Sequence, residues 1–326
     1  MIKRLLTFAL SSIAISLVLA LVLIVTDRPI ATVAGDTLEF SSAVAQDLSA
    51  LPDTQPYLAR DGTKLALRSY GEERGDQPLI VMLHGSGWHG MQFDGLAASL
   101  SEQARVLVPD LRGHGLSPKR RGDVDYIGQM EDDLADLITA HALPDQKIVL
   151  LGHSSGGGLV VRFAGGAYGS MIDHAILLAP FLKYNAPTTR QNSGGWVHVM
   201  ARRIAGLSML NGVGITALNH LPIIQFNWPQ DILDSPLGHT TARSYSYRLN
   251  TGYAPRSDYM KDIAALPAFS LIVGRDDEAF YAAEYEPLMR EATGKGRYLV
   301  LEGLDHMAVV YAPQTLAAIK EDLSGL

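Results

Sequence analysis

Residues 147–163 read KIVLLGHSSGGGLVVRF: an apolar run, two serines among glycines, then a second apolar run. Few folds accommodate such a join. The stretch 148–151 is short, apolar and β-rich, as a buried strand is. The stretch 159–163 has helical character once the glycines end. Between them lies a strand-to-helix turn with almost no side-chain bulk. Gly152-His153-Ser154-Ser155-Gly156 fits G-x-S-x-G, a pattern in which a sharp turn holds the middle serine exposed at the carboxyl end of a sheet. Glycine is needed two places before and two after, because a Cβ there would strike the neighbouring strand or helix. This selects Ser154 over Ser155, since bulky His153 stands two places before Ser155.

The chain around this turn alternates. Residues 57–59 and 65–70 flank the Asp-Gly turn of RDGT and read as a hairpin. LIVML at 79–83 is a buried strand, followed by HGSGWHG; 95–103 is helical; 106–109 is a strand, followed by DLRGHG; 127–142 is an amphipathic helix. After the turn come strands at 175–179, 269–273 and 297–301 and helices at 279–292 and 313–323. Strands alternating with helices imply a doubly wound, mostly parallel sheet. The stretch 182–262 breaks this rhythm. It is rich in aromatics and glycine, shows no clear strand, and is too long for a loop, so it reads as an inserted cap subdomain. The expected organisation is therefore a core of 57–181 and 263–326, a cap at 182–262, a linker at 27–56 with one short helix near 41–51, and a separate segment at 1–26.

That first segment has Lys3 and Arg4 and then an uncharged apolar run from Leu5 to Thr26. About 20 such residues span a bilayer core, whereas the apolar part of a cleaved signal is about 7–15 residues long. The nearest small-x-small site, Thr32-Val33-Ala34, lies well downstream. The expectation is an uncleaved membrane anchor with the body outside the cytoplasm, since positive residues precede the run. The alternative is a signal cleaved near Gly35, leaving a secreted or periplasmic protein. The remaining chemistry is bounded by composition. A chain of 326 residues with net charge −7 and no basic run beyond Lys119-Arg120-Arg121 argues against a nucleic-acid partner. Without cysteine there is no disulfide and no thiol nucleophile. The ten histidines show no zinc-site spacing, and neither a metal nor a cofactor is implied.

A nucleophilic serine needs a base, and the base needs an orienting acid, in the chain order serine, acid, histidine for a sheet of this kind. Loops at the carboxyl ends of parallel strands form the active face. His306, in LEGLDHMAVV just past the last strand, lies there; His174 precedes a strand and lies on the wrong edge, and His198, His220 and His239 fall in the insertion. The acid belongs after the preceding strand, where LIVGRDDEAF offers Asp276, Asp277 and Glu278; Asp277 is favoured and Asp276 is the runner-up. An oxyanion needs two N–H donors. These are expected from Ser155, after the nucleophile, and Ser86, in the loop after the third strand.

MLHGSGWH, VPDLRGHGLSPKRRGDVDYIGQMEDDLADLI, GHSSGG, GRDDE and GLDHMAV together give a resemblance to the α/β-hydrolase superfamily over about residues 57–326. Within it the chain resembles the monoacylglycerol lipase, lysophospholipase and serine-aminopeptidase-like branch. In that family an aspartate lies three residues after the glycine of the G-x-x-D motif, which from Gly274 is Asp277. The resemblance also implies a cap between the sixth and seventh strands, at the place of the insertion.

The function expected from these residues is a serine hydrolase acting on a carboxylic ester of a small acyl or lipid-like substrate. Dehalogenase and epoxide-hydrolase chemistry needs a carboxylate nucleophile, and position 154 is serine. An aminopeptidase is the alternative, with a free amine to be bound by cap acids such as Asp231, Asp234 or Asp258. A binding protein on the hydrolase fold is the non-catalytic alternative. The cap residues Trp196, Phe226, Trp228, Tyr245, Tyr247, Tyr253, Met200 and Met209 are expected mainly to pack the cap itself, or else to line an acyl site.

Overall fold

The computed structural model describes residues 2–30, 38–46, 51–116 and 118–326. Its main sheet has eight strands: β1 (Gln55–Leu58), β2 (Lys64–Tyr70), β3 (Leu79–Leu83), β4 (Arg105–Pro109), β5 (Ile148–His153), β6 (His174–Leu178), and, after β7 (Val197–Val199), β8 (Pro222–Phe226) and β9 (Ser244–Ser246), the last pair β10 (Ala268–Gly274) and β11 (Gly296–Leu301). The order across the sheet is β1-β2-β4-β3-β5-β6-β10-β11. The β1–β2 hairpin joins β4 antiparallel, and every other pair is parallel. All residues of β3, β4, β5 and β6 are buried, as uninterrupted apolar runs in a two-sided sheet require.

The chain leaves β3 first toward β4 and then returns to the other side for β5. The winding therefore reverses between β3 and β5, and a crevice opens at their carboxyl ends. The loop after β3 carries Ser86, and the turn after β5 carries Ser154. Helices Gln129–His141 and Pro313–Ser324 fall close to their expected bounds.

Three expectations need correction. The 182–262 stretch contains strands: β7, β8 and β9 form a three-stranded antiparallel sheet. β7 and β9 have three residues each and no apolar run, so no periodicity announces them. The helix expected at 279–292 is reduced to a 3₁₀ turn, Ala282–Glu284, and a helix, Tyr285–Arg290. Residues 279–281 are taken by other partners: Ala279 and Phe280 donate to the Asp277 side chain, and Tyr281 N–H donates to Thr188 C=O. Finally, the helix after the turn is Ser155–Ala164, so it includes the glycines rather than starting after them. Near 41–51 only Ser41–Val44 is helical among the described residues; 47–50 and the Thr32-Val33-Ala34 site with Gly35 lie outside them.

Helix Ile2–Thr26 packs its carboxyl half on helix Ala201–Gly212. Ala20 and Ile24 are buried there. Gly206 makes this approach possible, since a Cβ on it would lie 2.5 Å from the Ala20 carbonyl oxygen and 2.8 Å from Ile24 Cγ1.

Candidate active site

The turn after β5 is strained. Ser154 has φ 54° and ψ −120°, a region that side-chain-bearing residues rarely adopt and that persists only where surroundings impose it. Its N–H donates to Leu178 C=O at 2.9 Å, and its C=O accepts from Phe181 and Gly158 at 2.9 and 3.1 Å. The flanking glycines are required by contact. A Cβ on Gly152 would lie 2.4 Å from the Gly156 backbone, and one on Gly156 would lie 2.0 Å from the Leu83 carbonyl oxygen.

Loops after β10 and β11 bring Asp277 and His306 together. His306 Nδ1 and Asp277 Oδ2 are 2.8 Å apart, and both residues are buried. Asp277 Oδ1 accepts the N–H groups of Ala279 and Phe280, each at 2.8 Å, which fixes the carboxylate in place. With Nδ1–H committed to Asp277, the Nε2 lone pair is left for the cavity. The runner-up acid, Asp276, is exposed and is not part of this arrangement. Glu278 does take part: its Oε2 accepts the His306 N–H at 2.8 Å. Burial disfavours an imidazolium here, but the charges of Asp277, Glu278 and Asp305 outweigh it and hold His306 above the usual histidine range.

Ser154, His306, Ser86, His153 and Gln92 line one cavity of about 20 Å³. Among the described residues no hydrogen bond joins Ser154 Oγ to His306 Nε2, and catalytic contacts of this kind often close only around substrate. Nor does any described acceptor take the N–H of Ser86 or Ser155. Their side chains bond to each other instead, Oγ to Oγ at 2.5 Å, which ties the loop after β3 to the turn after β5. A buried polar chain runs beneath. Gly85 N–H donates to Gln92 Oε1 at 3.3 Å, Gln92 Nε2 lies 3.2 Å from His153 Nδ1, and His153 Nε2 lies 3.0 Å from the His306 carbonyl oxygen. Burial and the neighbouring His306 push His153 well below the usual range, so it is the neutral link in this chain. His174 begins β6 on the opposite edge, and His198, His220 and His239 do not line the cavity.

The sequence model of the family described as serine aminopeptidase, S33, matches residues 76–309. The chain belongs to this family. It has the α/β-hydrolase fold, in the serine-aminopeptidase and monoacylglycerol-lipase-like branch. Among individual members, it is 36% identical over 119 residues to proline iminopeptidase PfmaB of Pestalotiopsis fici, covering 36% of this chain and 41% of that one. It is 30% identical over 128 residues to the uncharacterized protein Rv2715 of Mycobacterium tuberculosis, covering 39% and 35%. The chain thus spans well under half the length of these curated relatives. A soluble variant of monoglyceride lipase from Saccharomyces cerevisiae superposes with a TM-score of 0.64 at 14% identity, over 86% of this chain and 95% of that one. An aryl esterase from Burkholderia cenocepacia, described as putative, gives 0.60 at 20%, over 83% and 97%. A bacterial membrane phospholipase A gives 0.57 at 15%, over 99% and 97%. At these identities the likeness is one of fold.

Two further side chains of this α/β hydrolase shape the site through contacts the sequence does not signal. Tyr245, on β9, presents its hydroxyl to Gly87 N–H at 2.5 Å and to His114 Nε2 at 2.5 Å. It thereby fixes the loop that carries Ser86. Phe40, from the presumed linker, lines the cavity together with Leu38. A larger groove of about 350 Å³ opens between the β1–β2 hairpin and the 110–125 loop. It is lined by polar and charged residues such as Lys64, Arg112 and Asp123 and includes neither Ser154 nor His306, so it does not hold the serine–histidine arrangement.

Proposed function

We propose that this chain is a serine hydrolase that cleaves carboxylic esters through an acyl-enzyme. The observation that carries the reading is the buried 2.8 Å contact of His306 Nδ1 with Asp277, at a cavity that His306 shares with a serine held at positive φ. Ser154 Oγ attacks the ester carbonyl while His306 Nε2 takes its proton. The tetrahedral oxyanion is received by the N–H groups of Ser86 and Ser155, the second at the start of helix Ser155–Ala164. His306 returns the proton to the departing alcohol. Water then attacks the acyl-Ser154 ester, again through His306, and releases the acid. Asp277 keeps Nδ1 protonated and stabilises the imidazolium formed in each half-reaction.

Ester rather than peptide substrates are favoured by what lines the cavity. Binding a free α-amine needs a carboxylate, and none of Leu38, Phe40, Gly85, Ser86, Trp88, Gln92, His153, Ser154, Trp196, His306 and Met307 is acidic. Asp231, Asp234 and Asp258 are exposed and line no part of it. Wild-type enzyme is expected to turn over p-nitrophenyl butyrate far faster than proline p-nitroanilide, and Ser154→Ala to lose on the order of 10³-fold or more in kcat. Preference for the anilide, or an active Ser154→Ala variant, overturns the reading.

The cap assignment for 182–262 and the anchor assignment for 1–26 belong to the same reading. Helix Ile2–Thr26 is long and apolar enough to cross a membrane, and side chains such as Phe8 and Ile15 are exposed along it, which lipid would cover. Retention of the helix is supported by its tertiary contacts: Arg203 Nε donates to Ile24 C=O, and Asp27 accepts from Arg202 N–H at 2.8 Å. A cleaved signal would forfeit both. N-terminal sequencing of protein from its native membrane fraction decides, since a mature chain beginning near Gly35 contradicts an anchor.

A further inference from the structure

The 20 Å³ cavity beside Ser154 holds about one water and no ester. Something that now fills the site must therefore leave when substrate binds. Phe40 is buried between three indoles, with ring centroids 5.6 Å from Trp88, 5.5 Å from Trp196 and 5.2 Å from Trp228. Leu38, Phe40, Trp88 and Trp196 border the same cavity as Ser154 and His306. The segment 38–46 is tied to the body by buried apolar side chains, Leu38 and Phe40, rather than by hydrogen bonds. Among the described residues its one hydrogen bond to the rest of the protein runs from Glu39 N–H to Glu278 Oε1, at 2.8 Å. Its other hydrogen bonds are internal: Ser41 N–H to Glu39 Oε1, Gln46 Nε2 to Ser42 C=O, and the turns of helix Ser41–Val44. The indoles, by contrast, belong to the body of the fold. Trp88 follows β3, Trp196 precedes β7, and Trp228 is fixed by its Nε1–H donating to Ala242 C=O at 3.1 Å.

We propose that the Trp88–Trp196–Trp228 cage is an acyl-chain subsite, occupied in the resting enzyme by Phe40 and vacated when a substrate acyl chain enters. The proposal rests on the ester-hydrolase reading above. The chemistry of the occupant argues for an acyl chain: three aromatic walls, with the Trp228 N–H already satisfied, are filled by one apolar side chain from a segment with a single hydrogen bond to the body among the described residues. An acyl chain with about as many carbons as the Phe40 side chain replaces it without creating a void, which specifies medium-length acyl esters. Glu278 connects the two events. One of its oxygens holds Glu39 of the plug and the other holds the backbone of His306, so departure of the plug removes a ligand from the carboxylate that positions the histidine.

The three cage indoles are the only tryptophans of the chain, so its intrinsic emission reports on this subsite alone. Wild-type enzyme is phosphonylated with an octyl fluorophosphonate or with its 8-bromooctyl counterpart, and the adduct is measured by intact mass. The bromine quenches tryptophan at contact. The expected result is a loss of emission with the brominated adduct relative to the plain octyl adduct. Equal emission from the two complete adducts overturns the subsite while leaving the serine mechanism standing; failure to form either adduct removes the ester-hydrolase reading beneath it. In parallel, Phe40→Ala is expected to raise kcat/KM for p-nitrophenyl octanoate by about tenfold, because the subsite no longer has to be vacated to reach the binding-competent state. The gain on p-nitrophenyl acetate is expected to be smaller. A variant that loses both esters alike marks Phe40 as structural and contradicts the proposal.

Discussion

Replacing Asp277 by asparagine separates orientation from mere presence of a polar side chain. The carboxylate accepts three N–H groups: Ala279 and Phe280 on Oδ1 and His306 Nδ1 on Oδ2. Asparagine has one oxygen for three donors. If its oxygen faces His306, its NH₂ meets two buried backbone N–H groups, at about 1–3 kcal/mol for each donor left unsatisfied. If its oxygen faces the backbone, its NH₂ meets His306 Nδ1. The imidazole then keeps all hydrogen bonds by shifting its proton to Nε2, a tautomer change that costs less than two buried orphans. The second arrangement therefore wins. It leaves the fold nearly as stable as before but presents an N–H to Ser154 where a lone pair is needed. The expected loss in kcat is about 10⁴-fold, the size found for the corresponding change in a serine protease triad, or about 5 kcal/mol of transition-state stabilisation. The assay is p-nitrophenyl butyrate turnover beside a thermal melt. Asp276→Asn, at an exposed position, is expected to stay within about twofold of wild type. An Asp277→Asn variant within tenfold of wild type, or one inactive only because it is unfolded, refutes the reasoning.

The proposed mechanism requires a neutral His306, whose pKa is held above the usual histidine range by Asp277, Glu278 and Asp305 against the opposing effect of burial. The acid limb of kcat/KM should therefore rise with pH through an apparent pKa above about 6.5. Glu278→Gln, by removing one of the charges that favour the imidazolium, should move that limb to lower pH; an unmoved limb, or one moved upward, contradicts this assignment. Tyr245→Phe leaves Gly87 N–H and His114 Nε2 buried without a partner, at about 1–3 kcal/mol each, and should lower the urea midpoint as well as kcat, since the loop bearing Ser86 loses its tie. A variant with wild-type midpoint and kcat would show that Tyr245 positions nothing.

Much of the sheet was legible because buried parallel strands are written as unbroken apolar runs, and LIVML at 79–83 is observed with those bounds. That Ser154, Asp277 and His306 lie near one another was legible for a related reason: each follows a parallel strand at the carboxyl end of the sheet, where loop residues reach the crevice. The cap was not. Its short antiparallel strands pair across sequence separations that no local period records, and Trp196, Phe226, Trp228, Tyr245, Tyr247, Tyr253 and Met200 are buried as packing would demand, whereas Met209 lies at the surface. Gln92 was illegible as a site residue, and Glu278, offered only as a candidate acid, and Tyr245, offered only as cap packing or acyl-site lining, were legible without their roles, because those roles depend on partners far along the chain: Gln92 meets His153, Tyr245 meets Gly87, and Glu278 meets Glu39. Phe40 looked like part of a linker, since nothing in a polar, proline-bounded stretch marks one aromatic as destined for a cage of indoles. The glycines of the 155–164 helix misled in the opposite direction. Their low helix propensity suggested a later start, but close approach to β3 and to Pro180 requires them, and packing overrides propensity.

The most direct test of the account is the site of covalent capture by a fluorophosphonate. Intact mass of the labelled wild-type chain should show one adduct, and peptide mapping should place it on Ser154 in the GHSSGGG peptide. Ser154→Ala should take up none, while Ser155→Ala should still be labelled. An adduct on Ser155, or equal labelling of Ser154→Ala and wild type, would contradict the account at its centre.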